Sequence, residues 1–308
     1  MVALLLAVAL LQPVPDRRVA ITFDDLPVNT LDTSLANHRA ITAGLVGAIA
    51  ESGVPAIGFV NEGKLYVEGR LVSEREGLLW SWLDRGLDLG NHGFDHLDLH
   101  RTGLAEYLAD IARGERVTRR VLGARGRAPA YYRHPFLHTG RSIVARDSVV
   151  GFLASQGYQV APVTIDNSEW IFARGYENVL RRGDSAEAGR IAREYLDYLN
   201  RTFDYFERQS VALFGREIPQ VLLLHANRLN ADHFGGVAKV IGARGYRFVS
   251  LTEAIADSAY RTADRYHGPA GITWLHRWAF SLGRRDAIVR DQPRTASFVM
   301  AAAGIREE

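Results

Sequence analysis

The chain has 308 residues, 47% of them hydrophobic, enough to fill a sizeable core in one large α/β domain or two small ones. Its formal net charge of +2 spreads Lys and Arg among nearly as many Asp and Glu, so no concentrated basic face argues for nucleic acid as a partner. Cysteine is absent, which excludes thiolate metal sites, cysteine nucleophiles and disulfides, and leaves any metal to His, Asp or Glu.

Residues 1–11 form an apolar run, too short for a bilayer-spanning helix of ~20 residues and suited in length to the core of a signal peptide. We therefore expect no stable membrane anchor and an exported protein, periplasmic or secreted, although the basic stretch that normally precedes such a core is missing. Residues 19–27 (VAITFDDLP) read as a buried strand that stops at Asp24 and Asp25. Side chains alternate along a strand, so these carboxylates can share a pocket only if the backbone turns, and Leu26-Pro27 supplies a turn signal.

Residues 34–51 have helical spacing, 55–60 form a short buried strand, and 74–85 a second helix before Asn91-His92. The apolar stripe from 102 to 122 predicts one helix. Residues 130–133 read as a strand, 143–156 as a helix, and 158–165 as a strand made irregular by Pro162. Residues 176–214 predict two helices broken near Gly183-Asp184. A strongly buried strand at 219–224 ends at His225, a helix covers 231–244, and a strand covers 246–249. Ser250-Leu251-Thr252-Glu253 is a capping-box signal for a last helix. Strands alternating with helices at this spacing predict a parallel sheet with crossover helices, open or closed into a barrel. We expect a domain over residues 16–258 and an extension over 259–308, whose ITWLHRWAF cluster packs on one end of it.

Polar residues recur where predicted strands end: Asp24-Asp25, His92, Arg133, Asp166 and His225. In parallel α/β sheets and barrels, active sites form at this end. His92 and His96 stand four apart, a spacing that on a helical turn points both rings to one side. With one carboxylate they make a three-ligand site that leaves a position open. His134 and His138 repeat the spacing, but Pro135 between them argues for a loop that contacts substrate.

These residues carry a resemblance to the polysaccharide deacetylases, the NodB-homology domain of the family-four carbohydrate esterases. Five short blocks match in order: Thr22 to Asp25, His92 to His96, Arg133 to Phe136, Asp166 to Trp170, and Leu223 to His225. The resemblance implies an α/β fold of the distorted (β/α) barrel type and a metal-dependent hydrolase that removes acetyl groups from N-acetylated sugars. It implies that Asp25, His92 and His96 bind the metal, that Asp24 is the general base held by Arg133, and that His225 is the general acid supported by Asp166. Trp170 and Leu223 would wall the acetyl pocket, and the Phe136 backbone N–H would donate to the oxyanion. Zinc suits the ligand set; cobalt, manganese or nickel fit the same residues. The substrate partner would be a carbohydrate.

The chain departs from the family pattern at Leu26, where glycine is usual, at Gly93, where Ser or Thr is usual, and at Glu169, where Asp is usual. Two extra residues separate Phe136 from Gly140, and the 176–214 segment is long. Two other hydrolase readings fit the same residues, an ester-cleaving O-deacetylase and a small-molecule amidohydrolase. A carbohydrate-binding protein without turnover is the reading of another class.

Overall fold

The computed structural model describes residues 16–285 and 290–307; the apolar run read as a signal peptide lies outside them. Its main sheet contains β1 (Arg18–Leu26), β2 (Ala56–Val60), β5 (Asp88–Asn91), β6 (Tyr131–Tyr132), β7 (Gln159–Val160), β8 (Gln220–His225) and β9 (Arg247–Phe248). A separate hairpin pairs β3 (Tyr66–Val67) with β4 (Arg70–Leu71). The order in the main sheet is β7-β6-β5-β2-β1-β8, with β9 also on β1, and every pairing is parallel.

Parallel strands need crossovers, and helices supply them: α1 (Leu35–Glu51), α2 (Ser73–Leu83), α3 (Leu104–Arg113), α4 (Arg116–Gly123), α5 (Ile143–Ser155), α6 (Glu169–Arg181), α7 (Ser185–Phe214), α8 (Arg228–Ala243) and α9 (Leu251–Ile255). Most of their apolar sides meet the strands in one large core that includes Phe23, Leu45, Trp82, Phe172, Phe203 and Phe234, while α3 and α5 pack in a second cluster and α9 in a third.

The sheet curls until its edges approach. Val160 pairs with Tyr132 at one edge, and Ile165, five residues later, bridges Leu222 of β8 at the other. So short a span reaches at most about 17 Å. The expected distorted barrel is therefore realised, with Pro162 inside the irregular closing span.

Two expectations need correction. The apolar stripe at 102–122 is not one helix but α3 and α4, broken at Gly114-Glu115. A Cβ on Gly114 would stand 2.4 Å from the Gly93 carbonyl carbon, so the break lies where the chain passes the His92 loop at backbone contact. His92 and His96 likewise lie in irregular backbone, not on a helical turn. Gly93 (φ 77°) and His96 (φ 55°) are left-handed, and that reversal returns the second ring to the first.

The strand expected over 158–165 is regular only at Gln159–Val160, and the helix expected from 176 begins at Glu169; two local signals agree with the structure. The helical break falls at Gly183-Asp184, and Ser250 and Glu253 form the capping box. In the C-terminal segment, α10 (Trp274–Ser281) and α11 (Ser297–Ala303) lie against the barrel. Trp278 is buried, and the Trp274 N–H donates to the Val163 carbonyl of the closing span. Among the described residues, no helix is long and apolar enough to cross a membrane.

Candidate active site

Because all strands of the sheet run parallel, their C-terminal ends share one rim, and the site is built there. Asp24 and Asp25 reach it through a break in register: β1 pairs with β2 regularly to Phe23, then slips before Leu26 pairs with Val60. Asp25 in the slip is left-handed (φ 69°). Such a bulge re-aims side chains, which is how two neighbouring carboxylates come to face one pocket. Leu26 explains itself here: it is fully buried, and its Cδ2 lies 2.3 Å from where a Cβ on Gly58 would stand. Leucine on β1 fills the space that glycine leaves on β2.

Asp25, His92 and His96 each place one donor atom within 4.8 Å of the others. Asp25 Oδ2 accepts from the Asn29 side-chain amide at 2.8 Å, which turns Oδ1 toward His96 Nε2 at 3.5 Å and His92 Nε2 at 3.9 Å. His92 Nδ1–H donates to the Arg133 carbonyl at 2.7 Å, fixing the tautomer that leaves Nε2 with its lone pair. Burial lowers both imidazoles to about 4, so both are neutral at pH 7. Burial alone would raise Asp25, but Lys64 and the neighbouring histidines outweigh it and hold the carboxyl well below its usual range. Two neutral imidazoles and one carboxylate, spaced beyond hydrogen-bond distance, fit a shared divalent cation.

Asp24 stands beside this triad, its Oδ2 3.8 Å from His92 Nε2. Arg133, fully buried, donates from Nη1 to both Asp24 oxygens at 3.2 and 3.3 Å. The guanidinium is itself held by the Ala161 carbonyl and the Thr22 hydroxyl, and it lies over the Phe59 ring. Burial raises the Asp24 carboxyl above its ordinary value, with Arg133 as the main opposing influence.

His225 ends β8 opposite Asp24, with which it pairs in register. Its carboxylate partner differs from the expected one. Asp166 makes its hydrogen bond with the Ser168 backbone N–H; Glu169 Oε2 accepts from His225 Nδ1–H at 2.8 Å. The reason is placement: Glu169 opens α6 and reaches across to β8, where Asn227 and Asn230 both donate to its other oxygen. Asp166 stays near enough to bear electrostatically on His225 and Arg133, and burial raises its carboxyl. For His225, burial works against the charged form, yet the hydrogen bond and charge of Glu169 prevail and raise it to about 9. His225 is therefore a cation at pH 7.

Phe136 and Trp170 are half exposed at the rim. Phe136 (φ 58°) and Leu137 (φ 54°) form a left-handed turn, and the Phe136 ring meets His96 edge-on at 4.6 Å. Trp170, with Asn29, Thr30 and Asn227, lines a small cavity of about 140 Å³. Leu223 is buried in the core, two residues before His225 and so on the same face of β8. The expected loop pair separates: His134 is buried and its Nδ1 meets the Tyr107 hydroxyl, whereas His138 turns to Asp98.

Asn29, Lys64, Asn227 and Asn230 escaped the reading of the sequence. The last two carry a faint signal, since Asn227 N-caps α8 through the Asn230 backbone N–H.

Residues 12–155 match the sequence model of the family described as polysaccharide deacetylase. No curated protein matches the chain in sequence. Among solved structures it is similar to a polysaccharide deacetylase from Bacillus cereus, at 17% identity and TM-score 0.54 over 84% of this chain and 98% of that one. It is similar to a chitin deacetylase from the fungal pathogen Colletotrichum lindemuthianum, at 19% identity and TM-score 0.54 over 81% and 93%. A mutant of a family-four carbohydrate esterase pseudoenzyme is also similar, at 14% identity and TM-score 0.51 over 80% and 72%. At these identities the likeness concerns the fold.

Proposed function

From a chain that carries the polysaccharide deacetylase match in sequence and that barrel in structure, we propose a metal-dependent hydrolase that removes acetyl groups from N-acetylated sugars. The observation that carries this reading is the gathering of two proton-handling groups beside one ligand triad. Asp24, raised by burial and clamped by Arg133, is the register partner of cationic His225, with Asp25, His92 and His96 nearby. Residues 16–258 would form the catalytic unit, with 259–308 packed on it.

Asp25, His92 and His96 would hold the cation, zinc by ligand chemistry. A divalent cation there supplies Lewis acidity, polarising the acetyl carbonyl and acidifying water. Asp24 takes a proton from the attacking water; burial makes it a stronger base than an ordinary carboxylate, and Arg133 keeps it aimed. The tetrahedral oxyanion would be met by the Phe136 backbone N–H in its left-handed turn, a donor worth ~3–4 kcal/mol in comparable sites. An amine leaves only when protonated, and His225 holds that proton at pH 7 while Glu169 fixes its ring. Trp170 and Leu223 would wall the acetyl methyl, and Asp166 would add negative field behind the acid. The apolar run at residues 1–11 supports export and, with it, a cell-envelope glycan as substrate.

Acetate release from N-acetylglucosamine oligomers, with and without chelator, tests the reading. Asp24→Asn should keep its metal and lose at least about 100-fold in turnover, whereas His92→Ala should lose metal and turnover together. An Asp24→Asn protein with undiminished rate would remove the base from the scheme. Tight sugar binding with neither metal nor acetate release would favour a binding protein.

A further inference from the structure

The loop that follows His96 carries a second group of donors that the hydrolytic scheme does not use. Asp98 and His100 stand in this loop and His138 follows the Phe136 turn, with one donor atom of each within 4.8 Å of the others. Asp98 Oδ1 accepts from His138 Nδ1–H at 2.7 Å and from the His100 backbone N–H at 2.8 Å. The two imidazoles stack at 3.8 Å between centroids, only 9° from parallel.

A third segment closes over them. The Pro269 carbonyl lies 3.3 Å from His100 Nδ1. At Gly271 the chain presses so near that a Cβ would fall 1.8 Å from the Phe136 carbonyl oxygen and 3.2 Å from His138 Cδ2. Only glycine fits, so the C-terminal segment is built against this pair and does not merely drift past it.

Two face-to-face imidazolium ions would repel at this distance, and one carboxylate cannot neutralise both. The two imidazoles with Asp98 repeat the donor chemistry of the first triad, with a carbonyl oxygen added. Ligands about 2.1 Å from a tetrahedral ion stand about 3.4 Å apart with each ring's in-plane lone pair aimed at the ion, so binding would swing the two imidazoles out of their stack and replace the His138 Nδ1–H hydrogen bond to Asp98.

We propose that Asp98, His100 and His138, capped by the Pro269 carbonyl, bind a second divalent transition-metal ion, zinc by preference, which fastens residues 269–271 to the turn bearing Phe136. The Phe136 ring lies between the two centres, 4.6 Å from His96 and 5.7 Å from His138, so the second ion would brace a wall of the cleft without entering it.

The test uses the tag-free full chain, stripped with chelator and then titrated with zinc alone. Wild type should bind two zinc ions; His92→Ala, His138→Ala and His100→Gln should each bind one, and His92→Ala combined with His138→Ala none. In the His92→Ala background, cobalt should give a visible absorption band that His138→Ala abolishes. Circular dichroism melts in chelator identify variants that keep the fold, and His100→Gln preserves size if the alanine variants do not. A single zinc ion in wild type that His92→Ala abolishes overturns the proposal, as does a second ion that persists in a folded His100→Gln or His138→Ala protein. Zinc counting needs no turnover, so this outcome is separate from that of the deacetylase reading.

Discussion

At the scale of single residues, Glu169 decides what His225 can do. A buried histidine without a hydrogen-bonded carboxylate loses its proton, as His92 and His96 show at about 4, yet His225 in the same pocket reaches about 9. The acid is therefore present below about pH 9 and lost above it, and the rate should fall along that alkaline limb. Glu169→Gln removes the charge but keeps the shape, so His225 should titrate lower and the limb should move toward neutrality; a pH–rate profile reads this directly. A profile unchanged by Glu169→Gln would mean another group sets the limb. The triad residues were legible in the sequence because a few residue types at strand ends announce them. Their orienting partners were not: Asn230 reaches Glu169 from 61 positions away and Asn29 is an ordinary loop residue, so only folding reveals the contact.

At the scale of elements, the register slip in β1 and the helix break at Gly114 position the triad of Asp25, His92 and His96. β1 and β8 were readable as continuous apolar runs, since both of their faces are buried, and most helices by periodicity, since each buries one face. Periodicity misread residues 102–122 because the apolar stripe continues across the break, whose cause lies in the distant His92 loop. Gly114→Ala separates the two influences. Alanine favours helix by ~1 kcal/mol over glycine, so an open site would gain stability. The backbone contact with Gly93 and Phe94 predicts instead a loss of about 1–3 kcal/mol and weaker metal binding, measured by denaturant unfolding and zinc titration.

At the scale of the whole molecule, the C-terminal segment belongs to the same packing as the barrel. Trp278 is 1% exposed and meets Phe214 and Tyr260 edge-on, so Trp278→Ala should cost about 3–5 kcal/mol, visible as a lower unfolding midpoint with an unchanged m-value. Strand alternation in the sequence allowed an open sheet or a barrel and could not choose, because closure rests on a single bridge at Ile165. The span that makes the closure does a second job. Ala161, one residue past β7, gives its carbonyl to Arg133, and Val163 receives the Trp274 N–H from the C-terminal segment. Those few residues work as a buckle: they set the circumference of the barrel and, through Arg133, the posture of the base. One residue inserted there would loosen the girth of the fold and the grip on Asp24 in a single stroke.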